Sequence, residues 1–241
     1  MSDIYTVRGA TFDPARCLPL GDFGSLPDGG LAGLWRMNSA ELENEGSAGG
    51  ALEYTGNAVV EPLWEDGILK IPTPESGSAQ WNTGIIQTTQ SPFCWFGIHF
   101  PVGVTGRLID KNNSYNMIQT AGSLNASATG SGLAATLYDT SFYGSRRLRW
   151  QMFIVNYGSD GIRGLGTRGD IRRNLFADTG SSFPPIVGAG QTRLGNTSTS
   201  NPLVGDIALL GYYARGLTET EMRSLRAGMY RFAEAKGISF A

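Results

Sequence analysis

This 241-residue chain is short of several things: it has two cysteines, one histidine, 17% charged residues and no apolar run near the roughly 20 residues that cross a membrane. Each scarcity excludes something. Cys17 and Cys94 stand far apart with no second cysteine nearby, so neither a zinc site nor a disulfide framework is indicated and both are expected as free thiols. A metal site built from several histidines is impossible. Low charge together with 34 glycines, roughly twice the usual share, excludes helical bundles and coiled coils, which need charged solvent faces and little glycine. The start Met1-Ser2-Asp3-Ile4 lacks the basic and apolar regions of a secretion signal, so the chain is expected to be made in the cytoplasm and to meet no membrane.

What is present points to strands. Gly, Ser, Thr, Asn and aromatics suggest many short strands joined by turns, and one all-β domain suits the length as well as two small ones. The net charge of −2 hides a polarity. Residues 1–90 carry four Lys/Arg against twelve Asp/Glu, and residues 91–241 carry fifteen against nine. Such asymmetry is met inside the fold or between copies in an assembly.

Residues 1–30 are broken by Pro14, Pro19, Pro27 and Asp28-Gly29-Gly30, and read as an extended arm. Phe12, Leu18, Leu20 and Phe23 are its docking residues, on its own domain or on a neighbour. From Leu31 onward, apolar or alternating runs predict strands at Leu31–Met37, Gly67–Ile71, Phe93–Phe100, Arg107–Asp110, Leu133–Tyr138, Leu148–Tyr157, Ile186–Val187 with Thr192–Leu194, and Leu203–Tyr213. Both Leu148–Tyr157 and Leu203–Tyr213 are apolar on two faces, which predicts central strands. One helix is predicted from about Leu217 to Lys236. Thr218 and Glu221 form a capping box, Leu217 staples against Met222, Met222, Leu225, Met229 and Phe232 make one stripe, and Gly237 is the stop.

The string Gly30-Leu31-Ala32-Gly33-Leu34-Trp35-Arg36-Met37 resembles the opening strand of the concanavalin A-like, laminin G-like jelly rolls. The closing segment from Leu203 through Gly205, Ile207, Tyr213, Arg215, Leu217 and Glu221 resembles that family's last strand and short helix, and Trp81–Ile86 with Phe93–Ile98 looks like its inner strands. The resemblance covers about residues 31–225 and implies an all-β, concanavalin A-like antiparallel β-sandwich, here with an N-terminal arm and a longer C-terminal helix. This jelly roll hosts lectins, glycosidases, adhesion modules and viral structural proteins, so function is argued from sites.

Glu41, Glu43 and Glu45 alternate as strand carboxylates would, and resemble the paired acids of jelly-roll glucanases. They sit after the first strand, beside the flexible run 46–50, where a solvated acidic loop is expected instead. His99, in an alternating run, is expected as a surface or satisfied core residue. Calcium is the ion many relatives carry. Asp66, Asp110, Asn112, Asn113, Asp139, Asp160 and Asp206 are oxygen donors near strand ends, but none forms a recognisable ion-binding string, and no cofactor is expected.

Seven arginines, Arg146, Arg147, Arg149, Arg163, Arg168, Arg172 and Arg173, offer planar donor forks to an anionic partner, either a glycan or the acidic face of a neighbour. Nucleic acid is disfavoured by the pI of about 5.5 and the absence of a binding motif. Arg168-Gly169-Asp170 matches an adhesion tripeptide and is set aside as a chance match. For sugars, which stack on aromatic rings, Trp64, Trp81, Tyr115 and Tyr157 stand near loops or strand ends, and Tyr138, Asp139, Phe142 and Tyr143 form the best local cluster. Trp35, Trp95 and Trp150 are expected in the core. The expected role is a non-enzymatic structural or adhesion subunit of a bacteriophage particle, a head decoration or tail-associated protein contacting other virion subunits and its own copies. A carbohydrate-binding lectin that reads a bacterial surface glycan is the alternative, with a glycosidase third.

Overall fold

The computed structural model describes residues 26–37, 42–48, 50–59, 62–87, 91–102, 105–111, 114–119, 123–128, 133–139 (backbone), 149–175, 190–195 and 202–240. Fifteen strands and one helix lie within them. An eight-stranded antiparallel sheet runs β13 (Ile171–Leu175), β12 (Gly161–Gly166), β11 (Gln151–Gly158), β6 (Phe93–Pro101), β15 (Gly205–Tyr213), β4 (Ile68–Ile71), β3 (Leu63–Glu65), with β1 (Leu31–Arg36) also on β15. A seven-stranded sheet runs β10 (Leu133–Asp139), β9 (Ser123–Ala128), β8 (Tyr115–Gln119), β7 (Gly106–Lys111), β14 (Gln191–Gly195), β5 (Gln80–Ile86), β2 (Glu53–Tyr54). The expected antiparallel sandwich with a C-terminal helix is the observed fold.

The eight-stranded sheet is covered on both faces, which is why its central strands carry no polar side. On β6, Phe93 and Trp95 face the other sheet while Cys94, Phe96 and Ile98 face the helix α1 (Glu219–Ala235). On β11 the same split sends Phe153, Val155 and Tyr157 one way and Met152 and Ile154 the other. The interlayer core is aromatic, with Trp35 stacked on Trp95 and Phe93 on Tyr157. The helix-side core is aliphatic and sulfur-rich, with Met222, Leu225, Met229 and Phe232 buried as the predicted stripe.

The capping box forms as predicted: the Glu221 amide donates to the Thr218 hydroxyl at 3.2 Å and the Thr218 amide to the Glu221 carboxylate at 2.8 Å. At the other end, Ile238 N–H reaches the Ala233 carbonyl and Gly237 N–H the Glu234 carbonyl, a Schellman closure. Arg215 ties three parts together. It pairs with Glu221 at 2.6 Å and donates to the Asp28 and Gly29 carbonyls, while the Tyr213 hydroxyl donates to Pro27. Residues 26–30 therefore lie on the domain's own surface. Phe12, Leu18, Leu20, Phe23 and Cys17 fall outside the described residues, as do 186–187.

Some expectations are corrected. Strand β11 begins at Gln151, opposite His99, not at Leu148, and Trp150 precedes it half-buried, edge-on to Phe100. Strands β2, β3, β8, β9, β12 and β13 were not among those predicted from apolar runs. In β9, only Leu124, Ala126 and Ala128 face inward, and alanine gives too little apolar signal. In β12, three glycines and Arg163 interrupt the pattern.

Candidate functional site

At one end of the sandwich the two sheets part around a cavity of about 360 Å³. Its walls come from the last residues of β5 (Gly84, Ile85, Ile86), Gln87, Ser91-Pro92 before β6, Tyr212 and Ala214 at the end of β15, Ala32 on β1, and Ala48. A local irregularity opens it. Between the pairs Ile86↔Gln191 and Asn82↔Arg193, β5 spends four positions where β14 spends two. Gly84 takes φ 68, a left-handed conformation open to glycine, to accommodate the excess. The buried Thr83 hydroxyl bridges the bulge, accepting from the Ile85 amide and donating to the Thr192 carbonyl at 2.7 Å.

Gln87 is one of the buried polar residues of the lining. It is 7% exposed, its amide nitrogen donates to the Ser91 carbonyl at 3.3 Å, and its Oε1 is buried without a partner among the described residues. A buried acceptor left unpaired costs on the order of 1–3 kcal/mol. Tyr212 forms the opposite wall, its ring tilted 4.7 Å from Trp95, and burial raises its phenol far above the ordinary range. The hydroxyl there stays a neutral donor and acceptor. Ile86 stands at the rim, 56% exposed.

At the far end of β6 the interlayer holds His99, 2% exposed beside Gln119, with its ring edge-on to Phe153. Burial pushes it down to about 3, so it is neutral at physiological pH and serves as a core residue. Between the two ends, the Trp95 indole donates to the Tyr115 hydroxyl, which shares a 2.8 Å hydrogen bond with Thr192. This closed network and the burial of Trp81, Tyr115 and Tyr157 correct the expectation that those rings are available to sugars. Trp64 is half-buried against the same core. Trp35 and Trp95 are core residues, as expected.

The acidic string does not form a strand. Leu42 turns the chain with φ 44, and residues 44–48 run along β1. Asn44 holds that path, accepting from the Leu34 and Gly46 amides at 2.8 Å and donating to the Ala32 and Ala48 carbonyls. Glu43 is exposed and Glu45 is ion-paired with Arg36 at 3.0 Å, its carboxyl raised by burial. Glu41 lies outside the described residues. Among the described residues no three His, Cys, Asp or Glu side chains gather as a metal site. Of the calcium candidates, Asp110 pairs with Arg107, Asp160 with Arg163, and Asp206 lies beside Lys70; Asp66 occupies a left-handed turn, and Asn112 and Asn113 are outside the described residues. Cys94 is a free thiol, buried, and pushed up by that burial.

The arginines divide. Arg163 pairs with Asp160, Arg173 with Glu219, Arg172 and Arg168 are exposed on β13 and the turn before it, and Arg149 is half-buried. Arg223 and Arg226, which the sequence argument did not single out, hold that turn to the helix through the Gly166, Thr167 and Gly169 carbonyls. Arg146, Arg147, Phe142 and Tyr143 lie outside the described residues, as do the side chains of Tyr138 and Asp139. The cavity was missed altogether. The only signal for it was Thr83-Gly84 inside an otherwise apolar strand, the mark of a bulge.

No family model matches this chain, and no curated protein does. Solved structures do. The binding domain of botulinum neurotoxin DC, in complex with rat synaptotagmin II, is similar at a TM-score of 0.60 and 12% identity over 83% of this chain and 52% of that one. A botulinum neurotoxin type C structure, concerned with cell entry that depends on two ganglioside molecules, matches at 0.57 and 12% over 83% and 51%. Trypanosoma rangeli sialidase matches at 0.56 and 14% over 86% and 34%. The chain thus spans about half the length of the neurotoxin chains and about a third of the sialidase. At these identities the likeness is one of fold, an antiparallel β-sandwich.

Proposed function

We propose that this chain is a non-catalytic, carbohydrate-binding β-sandwich module. The observation that carries the reading is the cavity between the sheets, where apolar side chains stand beside the phenol of Tyr212. Sugars present hydroxyl or amide donors beside apolar patches, which is the complement of that surface. The ganglioside-dependent neurotoxin among the neighbours supports the same role. A glycosidase built on the acidic string is not supported, because Glu45 is engaged by Arg36 and Asn44 is committed to four backbone groups. A glycan array tests the module. Retention of a subset of glycans, unchanged by calcium chelation, is expected; no retention with or without calcium sinks the reading.

The finer reading is a subunit of a phage particle, made in the host cytoplasm and touching other virion subunits and its own copies. It is supported by charge. Among the described residues, the ion pairs Arg36–Glu45 and Lys70–Glu65 stay within the acidic part of the chain, and Arg107–Asp110, Arg173–Glu219 and Arg215–Glu221 within the basic part. Light scattering on the full chain checks it: self-association that weakens with salt is expected, and a monomer at every concentration removes the support.

A further inference from the structure

We infer that copies of this chain join head to tail, the basic edge of one sandwich against the acidic, apolar edge of the next; this rests on the self-association proposed above and assigns its surfaces. The sheet order fixes where the edges lie. In the eight-stranded sheet β13 stands at one end and β3 at the other, six strand spacings of about 4.8 Å, or roughly 29 Å, away. Strand β10, at one end of the second sheet, packs beside β12 and β13, so β2, at its other end, falls on the side of β3. Charge follows the same division. Around β13 and the turn before it, Arg163, Arg168, Arg172, Arg173, Arg223 and Arg226 outnumber Asp160, Asp170 and Glu219. At the opposite end, β4 and β1 follow one another along β15, which sets the β3–β4 turn, with Glu65 and Asp66, beside the end of β1. The Leu52 amide donates to the Leu42 carbonyl at 3.0 Å and so holds Glu53 near Glu43. There Glu43, Glu45, Glu53, Glu65, Asp66 and Asp206 outnumber Arg36, Lys70 and Lys236.

The two edges cannot neutralise each other within one copy, because their separation exceeds the screening length of about 8 Å at physiological salt. Two like edges do not attract either. A second β13 would set arginine against arginine, and a second β3 carboxylate against carboxylate. Only unlike edges fit. The acidic edge also holds the apolar surface that a stable contact buries. Tyr54 is 37% exposed, Val59 62% and Leu63 65%, three of the four large apolar side chains exposed among the described residues. Tyr54 lies on β2, Leu63 on β3 and Val59 in the segment that joins them, so the three share this edge. Against them, β13 offers the half-buried Ile171 and Leu175 on either side of Arg172 and Arg173. An acidic glycan would match the arginines but leave the apolar edge uncovered, whereas a second copy satisfies both. Because the two edges face opposite ways, each contact leaves an open edge at either end, and growth passes two copies.

The test is sedimentation velocity of the full chain at rising concentration, in low and in physiological salt, with two charge-reversed variants. Oligomers beyond a dimer that shrink as salt is added are expected. Arg168→Glu with Arg172→Glu makes both edges acidic, and Glu43→Lys with Glu53→Lys makes both basic. All four positions are exposed, so circular dichroism and Tm should match the parent. Each variant alone should associate at least about tenfold more weakly. Mixed together they should associate again, because each unlike pair of edges now comes from unlike copies. Association that survives both reversals, stops at a dimer or fails to return in the mixture overturns the edge contact and leaves self-association standing. If Arg168→Glu with Arg172→Glu leaves association unchanged but loses acidic glycans on the array, the basic edge belongs to an acidic sugar and the edge contact is likewise overturned. A parent that is monomeric at every concentration takes down both.

Discussion

The two faces of the eight-stranded sheet solve different problems with the same strands. Toward the helix, Cys94, Phe96, Ile98, Met152, Ile154 and Tyr213 meet Met222, Leu225, Met229 and Phe232, and the surrounding polar groups, from the capping box to Arg215 and Asn156, are paired. Toward the second sheet the filling is aromatic and the polar accounting is left open at Gln87, Gln119 and the Trp81 indole. The closed face is built for stability and the open face has room for a ligand. Substitutions separate the two roles, because a change on the first face should cost folding energy and leave binding alone, while a change at the cavity should do the reverse.

The largest expected effect is on the closed face. Phe232→Ala removes a fully buried ring from the helix-side core and should cost about 3–5 kcal/mol in chemical denaturation. Glycan binding by the folded fraction should persist. If binding vanished while the protein remained folded, the separation of the two faces would be wrong.

Next comes acid. His99, on the interlayer side, has a folded value pushed down to about 3 against about 6.5 in the unfolded chain. The unfolded chain binds the extra proton between those values, so stability should fall as pH drops from about 6.5 toward 3. His99→Gln, which keeps a neutral polar side chain beside Gln119, should flatten that part of the curve. An unchanged curve would mean the ring can be protonated in place.

Arg215→Ala should cost about 2 kcal/mol, since charge-assisted bonds to the Asp28 and Gly29 carbonyls and to Glu221 go together. Hydrogen exchange should rise first at residues 26–30. The same residue explains what in the sequence was legible. Tyr213, Arg215, Leu217 and Glu221 carried the resemblance to the jelly rolls, and each proves to be a joint of the fold: a hydroxyl on Pro27, the clamp itself, a staple under the helix, and the N3 position of its cap. Motifs with strong local chemistry could be read before the fold was known. The cavity could not, because Ala32, Ala48, Gln87 and Tyr212 come from four separate parts of the chain and only the closing of two sheets brings them together.

A smaller effect tests the helix start. Thr218→Ala removes the acceptor of the Glu221 amide and should cost about 1 kcal/mol. Glu221 itself is held down to about 2, chiefly by Arg215. Its contribution is present above the unfolded value near 4.5 and should be lost as pH falls toward 2. That window lies below the onset of the His99 loss, so the two faces of the sheet should leave separate marks on one acid-unfolding curve, and Glu221→Gln should remove only the lower one.

The smallest expected change in stability is at the cavity, and it is the sharpest test of the comparison. Gln87→Met has nearly the same length, gives up a 3.3 Å hydrogen bond to Ser91 and removes a buried acceptor that has no partner. The first loss and the second gain are of similar size, about 1 kcal/mol each, so Tm should stay within a few degrees of the parent. A large drop in Tm would mean that Oε1 is already paired in solution, through bound water, and that the open face is as closed as the other.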